Sequence, residues 1–391
     1  MLLERLQQRF LMATYVVSPA GDDSNPGSES APWQTLQHAA LKVQAGDSVT
    51  VRRGKYIGFC LGWDTQPVGT RDAPIVFKAD PGVEIIANNN KTRDGINIEN
   101  SAWVVIDGFT VNDRLGKGGI YRAGVRIANA PNSVVRNVIS KNNGNWGIYA
   151  THSDDVTIEN CIALRNNANR PDDFNHHGIY VANSSQRPVI RDNVVAGNYG
   201  NGIHLNGDAS QGGAGVITGA VIENNTIIGN GRNGGSAINC DGLEHSIIRN
   251  NTLTENYGKG ISLYQIDAAA ASVNNLVSGN TVIMAADPRG PALQIKNGSS
   301  GNVVRSNNLS SPKGAMQVAD DGSLEGFRSD RNLFRGSFSI DDGTTPMSLG
   351  TWKNQTGQDL HSKMKRRKNA PASAVSSQPL SPSRAVAHHA V

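Results

Sequence analysis

A short alternation of apolar and polar residues returns along most of the chain. It reads GINIEN from Gly95, GVRIAN from Gly124, GIYATH from Gly147 and GIYVAN from Gly178, then GIHLNG from Gly202, AINCDG from Ala237, GISLYQ from Gly260 and ALQIKN from Ala292. The copies start 23 to 35 residues apart, the spacing of a solenoid whose units bury their apolar faces only by stacking. A second motif falls between them, as VVIDGF at Val104, VVRNVI at Val134, VTIENC at Val156, VIENN at Val221 and IIRNN at Ile247. Each repeat therefore holds at least two short strands, rich in β-branched residues and joined by Gly/Asn corners. Asn tolerates the left-handed backbone that a sharp corner needs. The equivalent corner residues Asn137, Asn160, Asn224 and Asn250 are expected to stack as amide ladders. No helical period competes, the Leu-x-x-Leu-x-Leu skeleton of leucine-rich repeats is missing, and a propeller blade needs four strands in about 40 residues. The pattern predicts an all-β fold, a single-stranded right-handed parallel β-helix of about eight to ten coils.

Strand alternation sorts the motif into an inside and an outside. The residue after the opening Gly or Ala points inward, as does the one two further on: Ile203 with Leu205 and Ile238 with Cys240 are examples, and all sixteen such positions are apolar or small. Two outward columns follow. The first runs Asn97, Arg126, Tyr149, Tyr180, His204, Asn239, Ser262, Gln294, and the second Glu99, Ala128, Thr151, Ala182, Asn206, Asp241, Tyr264, Lys296. Column neighbours should lie about 4.8 Å apart, with His204, Asn206, Asn239 and Asp241 exposed to solvent.

The ends differ from the body. Pro32 to Lys42 places Trp33, Leu36 and Ala40 on one helical face, as an N-terminal capping helix over the open first coil would. After about Leu333 the repeats fade, and Leu349 to His361 reads as a closing segment. This predicts an N-terminal extension over 1–14, the β-helix over 15–361, and a disordered Ser/Pro/Ala-rich tail over 362–391. That tail changes the meaning of the charge: its six cations and no acids lift a formal −2 for the rest to the +4 of the whole chain. The body thus lacks the basic footprint of a nucleic-acid binder. Cys60, Cys161 and Cys240 are too few and too scattered for a disulfide framework or a zinc site. The first residues show no secretory signal, and no apolar run is long enough to span a membrane. A monomer is expected.

The outward columns carry the candidate chemistry. Rings stack on sugar faces, and amides and carboxylates take sugar hydroxyls, so Arg126, Tyr149, Tyr180, His177, Asn206, Asn239 and Tyr264 are candidates for binding a polysaccharide along the face. Removing a proton α to a uronate carboxylate needs a base and a cation: Lys296, Lys259 or His204 could be the base, and Arg126 or an Asp-bound Ca²⁺ the cation. Asp172, Asp173 and Asp208 are the candidate oxygen ligands for Ca²⁺. Hydrolysis would instead need two carboxylates about one bond, with Asp241 and either Asp208 or Asp267 available. A polysaccharide lyase is the first reading; a glycoside hydrolase or uronan epimerase is the second, and a non-catalytic carbohydrate-binding or structural solenoid the third.

Tyr15 to Tyr56, with APIVFKADPG from Ala73 and VVIDGFTV from Val104, resembles the N-terminal coils of right-handed parallel β-helix proteins related to family 9 pectate lyases, and the resemblance extends to about His361. It implies the fold, a lysine base, a calcium held by several aspartates, and a secreted or periplasmic address. Lys296 is the lysine best placed for that base.

Overall fold

The computed structural model describes residues 12–114, 119–166 and 176–365. Its strands form three long parallel sheets, two of twelve strands and one of eleven, and successive strands of the chain fall in different sheets in turn. The result is a parallel β-helix with three faces, and each coil holds three strands, one more than the two motifs read from the sequence. The coil count exceeds the eight to ten expected, because the terminal coils pair without the Gly-led motif: Thr14–Val17 pairs with Ser48–Val51 at one end, and Arg328–Asp330 pairs with the strand Val303–Arg305 near the other.

The motif strands stack in the eleven-stranded sheet, called the front sheet below. Ile203 pairs with Ile238, His204 with Asn239, Leu205 with Cys240 and Asn206 with Asp241, which is the register read from alternation. Ile203, Leu205, Ile238 and Cys240 are fully buried in one continuous apolar core. The three thiols are free and buried, and burial pushes that of Cys161 up to about 12.

The corner asparagines Asn137, Asn160, Asn224 and Asn250 adopt left-handed φ of 51 to 56°, but the ladder forms one residue later. Such a corner turns the following side chain inward. In the early coils that slot holds Val138 and Cys161, and afterwards it holds buried Asn193, Asn225, Asn251, Asn280, Asn307 and Asn332. Each Nδ2 donates to the next Oδ1, at 2.9 Å from Asn193 to Asn225 and 3.0 Å from Asn251 to Asn280. A buried amide must find partners, and the neighbouring coils supply them.

The ends are covered. The helix Leu36–Lys42 buries Leu36, Ala39 and Ala40, and Thr35 caps it by accepting from His38 N–H. Gln37 closes the edge of the front sheet, donating to Cys60 C=O at 3.1 Å and accepting from Cys60 N–H at 3.0 Å, which satisfies backbone that an open edge would leave unpaired. At the other end the helix Leu349–Thr356 buries Trp352, which stacks on Phe338 at 5.5 Å. Lys363–Met364 still pairs with Leu333–Arg335, two residues past the boundary read from sequence. No helix among the described residues is long and apolar enough to cross a membrane.

Candidate active site

The glycine that opens each motif decides what stands on the front sheet. A Cβ on Gly147 would lie 2.5 Å from Gly178 O and 3.1 Å from Ala163 Cβ, and one on Gly178 would lie 2.4 Å from Val195 Cγ1. Both glycines therefore face the crowded interior, and so does the residue after each. Two inward residues in succession break the alternation and carry the preceding residue to the outer face. Trp146, His177 and Lys259 arrive there in this way: Trp146 pairs with His177, and Ser236 with Lys259.

Along the outer face the rings form a contiguous row. Trp146 lies 4.3 Å from Tyr149, Tyr149 lies 5.1 Å from Tyr180, and Tyr180 lies 4.8 Å from His204 with the planes 13° apart. This row begins on Trp146, which alternation alone would have turned inward.

The outward residues are not exposed as expected. His204, Asn206, Asn239 and Asp241 are outside the helix yet buried, at 9%, 6%, 7% and 1% exposure. Coil spacing brings column neighbours into contact, and loops from the same coils wall the second column. Ala209 N–H donates to Asp267 C=O at 2.9 Å, joining two loops, and a Cβ on Gly242 would meet Ala268 Cβ at 2.2 Å.

At the centre His177 and His204 form a relay whose protons can be placed. Ser236 N–H donates to Asn201 Oδ1 at 2.6 Å, so Asn201 Nδ2 faces His177 Nδ1, 3.2 Å away. The backbone N–H of Asn201 also points at that nitrogen, at 3.3 Å. Two donors leave His177 Nδ1 unprotonated, and its proton sits on Nε2. From there it is donated to His204 Nδ1 at 3.1 Å. His204 thus carries its own proton on Nε2, an atom that is buried and has no hydrogen-bond partner among the described residues. Burial holds His177 well below its ordinary value, with His204 and His176 adding to it, and lowers His204 to about 3. Both rings are neutral in ordinary buffers.

The next coils are polar. Ser236 Oγ donates to Asn239 Oδ1 at 3.0 Å and lies 2.8 Å from Ser262 Oγ, while Asn239 Nδ2 donates to the Tyr264 hydroxyl at 2.6 Å. Burial raises the Tyr264 phenol, and Asp241 adds to the shift. Asp241 is tied down: one carboxylate oxygen accepts from Ile266 N–H and the other from Asp267 N–H, each at 2.8 Å. It anchors the loop over the face. Its pKa is nonetheless raised, because burial outweighs those bonds.

Lys259 opens the strand that Tyr264 closes, and Lys296 follows the paired strand Leu293–Ile295 of the next coil. Burial lowers the pKa of Lys259 and the nearby charge of Lys296 lowers it further, while Asp342 opposes both. Asp342 arrives on the loop after Phe338–Ser339. It sits 3.7 Å from Lys296 Nζ and accepts from Gln294 Nε2 at 2.7 Å. Its distance in sequence hid it. At the opposite end, Arg126 donates to Asn97 Oδ1 at 2.9 Å and pairs with Glu99 at 2.7 Å.

The expected metal ligands are not brought together by the described residues. Asp208 accepts from Ser210 N–H and Oγ at 3.1 and 2.6 Å within its own turn, and Asp172 and Asp173 lie outside the described residues. No group of three or more His, Cys, Asp or Glu among the described residues is arranged to hold a metal ion.

Comparison with known proteins agrees with this architecture. Residues 15–172 match the family model described as Pel9A-like, right handed beta helix region, and residues 206–334 match the one described as right handed beta helix region. The chain thus has a right-handed β-helix fold, and its N-terminal region is similar to the one that the Pel9A-like model describes. Among solved structures, this β-helix resembles an alginate lyase from Paenibacillus sp. str. FPU-7, at TM-score 0.58 and 16% identity over 84% of this chain and 99% of that one. It also resembles the pectate lyase Pel9A, at TM-score 0.50 and 16% identity over 84% and 78%. At such identities the likeness speaks for the fold. Among curated proteins, the uncharacterized protein YwoF of Bacillus subtilis is 30% identical over 103 residues, 25% of this chain and 21% of that protein. A lacto-N-biosidase of Bifidobacterium longum is 25% identical over 315 residues, 60% of this chain and 19% of that protein. The chain thus spans about a fifth of each.

Proposed function

We propose that this β-helix is a carbohydrate-active enzyme, a polysaccharide lyase that cleaves a uronic-acid-containing glycan by β-elimination on the front sheet. The observation that carries the reading is the placement of Lys259 and Lys296 on neighbouring coils at the end of the row of rings and amides, with the Tyr264 hydroxyl held on Asn239, whose partner Ser236 pairs in register with Lys259. A lysine whose pKa is lowered by burial and a like charge gives up its proton more readily than a free one and can serve as a base. Lys259 in its neutral form takes the proton α to the uronate carboxylate. The Lys296 ammonium faces the carboxylate as charge accumulates there. The electron pair then forms the double bond and expels the β glycosidic oxygen. That oxygen takes its proton from the Tyr264 hydroxyl, which is neutral and already accepts from Asn239. His204 cannot be the base at Nε2, because that nitrogen holds the proton; it donates to a sugar hydroxyl instead.

The resemblance to pectate lyases brings an expectation of Ca²⁺, which would supply positive charge to the substrate carboxylate. Asp208 with Asp172 and Asp173 would hold it; the described residues alone do not make that site, and no step above depends on it. Hydrolysis draws support from the lacto-N-biosidase relative and from the raised pKa of Asp241, but both oxygens of that carboxylate are already held by backbone.

A panel of uronans, each assayed in Ca²⁺ and in EDTA, tests the reading. The ultraviolet absorbance of an unsaturated product, lost in Lys259→Met, is the expected result. Reducing ends released without that absorbance would make the protein a hydrolase, and binding without turnover would make it a binding module.

A further inference from the structure

At the N-terminal end of the front sheet, one coil before the ring row begins, lies a cavity of about 530 Å³ whose lining includes Trp63, Lys91, Arg93, Arg122, Arg126 and Glu99. Arg126 pairs in register with Tyr149, so the cavity adjoins the ring row on the front sheet. Four of these lining side chains are cationic and one is acidic. Lys91 is paired with Asp64 at 2.9 Å and Arg126 with Glu99 at 2.7 Å, while Arg122 reaches buried Asp94 only at 3.9 Å. Arg93 is exposed and lies over the Tyr121 ring at 5.2 Å, with no carboxylate at ion-pair distance among the described residues. The Nε of Arg126 is buried and lacks a hydrogen-bond partner among the described residues. Trp63 stands 51% exposed, an aromatic surface of the kind on which a sugar ring packs.

We propose that this cavity is a distal subsite that binds the carboxylate of a second uronate residue, with Arg93 and Arg122 taking the anion and Trp63 the sugar face. Guanidinium groups match a planar carboxylate in a two-bonded fork, and two of them with little carboxylate pairing of their own have that capacity to spare. Arg126 lies five strands from Lys259 in the front sheet, about 24 Å at the strand spacing. One glycan chain lying along the sheet therefore reaches both ends, and an acidic chain is held at each. The proposal rests on the uronan reading and adds to it that affinity depends on chain length through a defined pair of arginines.

The test is calorimetric binding of uronan oligosaccharides of increasing length to the full chain and to Arg93→Ala/Arg122→Ala, with Trp63→Ala as a second variant and melting temperatures recorded for all. In the wild type, affinity should rise steeply once the oligosaccharide is long enough to span the two ends. The double variant should lose about tenfold or more of that gain, with a shallower dependence on salt. Equal length dependence in wild type and variant, or no uronan binding at all, would overturn the subsite. If a sulfated neutral glycan binds with the same arginine dependence and uronans do not, the carboxylate assignment falls in favour of a sulfate ester. Loss of binding in the variant without turnover of any uronan leaves the subsite standing and removes the lyase reading, so the two proposals fail separately.

Discussion

His177 Nε2 lies 3.1 Å from His204 Nδ1, and with Asn201 donating to the other His177 nitrogen that contact fixes the tautomer of a buried ring whose other nitrogen faces no partner among the described residues. The relay has a measurable consequence for pH. Folded His177 and His204 resist protonation while the unfolded chain takes protons near pH 6.5. The unfolded state then binds more protons, so stability falls as pH drops from about 6.5 towards the folded value of about 3 for His204. Urea midpoints between pH 7 and 4.5 should fall more steeply for wild type than for His177→Gln/His204→Gln. Nitrogen-15 spectra should show both rings neutral and protonated on Nε2 at pH 6. Parallel slopes, or a His204 proton on Nδ1, would refute the relay.

Asp241→Asn tests anchoring against chemistry. The variant keeps the shape of the side chain but can accept only one of the two backbone N–H groups well. The loop over Ile266 and Asp267 should loosen and the protein should lose about 1–3 kcal/mol, measured by denaturant unfolding, with faster hydrogen exchange at those two amides. Full stability together with lost turnover would instead return Asp241 to the chemistry.

Lys259 makes a signed prediction for the rate profile. Activity should climb with pH as Lys259 loses its proton. Asp342→Asn removes the carboxylate that opposes the lowered pKa, so the climb should move to lower pH. Lys296→Met removes the like charge, so the climb should move to higher pH even as the maximal rate falls. Rate profiles that move in the opposite senses, or do not move, would take Lys259 out of the role of base.

Asn250 and Asn251 are adjacent, yet only one is built into the ladder. Asn251 Oδ1 accepts from the N–H and Nδ2 of Asn225, while its own Nδ2 donates to Ile222 C=O and Asn280 Oδ1. Asn251→Ala strands several buried partners and should cost about 1–3 kcal/mol or more. Asn250 is exposed with φ 55°, a conformation glycine adopts freely, so Asn250→Gly should stay within about 0.5 kcal/mol. Equal effects in thermal unfolding would mean that the ladder does not bear on stability.

The sequence by itself determined the repeat, the register and the inside of the helix. Ile203 with Leu205 and Ile238 with Cys240 could be assigned inward because strand alternation is local and apolar residues mark it. Corner asparagines were legible for the same reason, since left-handed backbone is a property of one residue. Tertiary structure alone decided the rest, because it depends on what other coils bring. The crowding inside Gly147 and Gly178 is set by neighbouring coils, and it moves Trp146 and His177 to the outer face. The ladder falls on Asn251 instead of Asn250 because the corner redirects the next side chain. Loops closing over the second column buried Asp241 and claimed both its oxygens, and a loop from the last coils placed Asp342 against Lys296. Alternation specifies which way a side chain points from its own strand; whether it meets solvent, a loop or another charge is a long-range outcome, and that outcome makes the site.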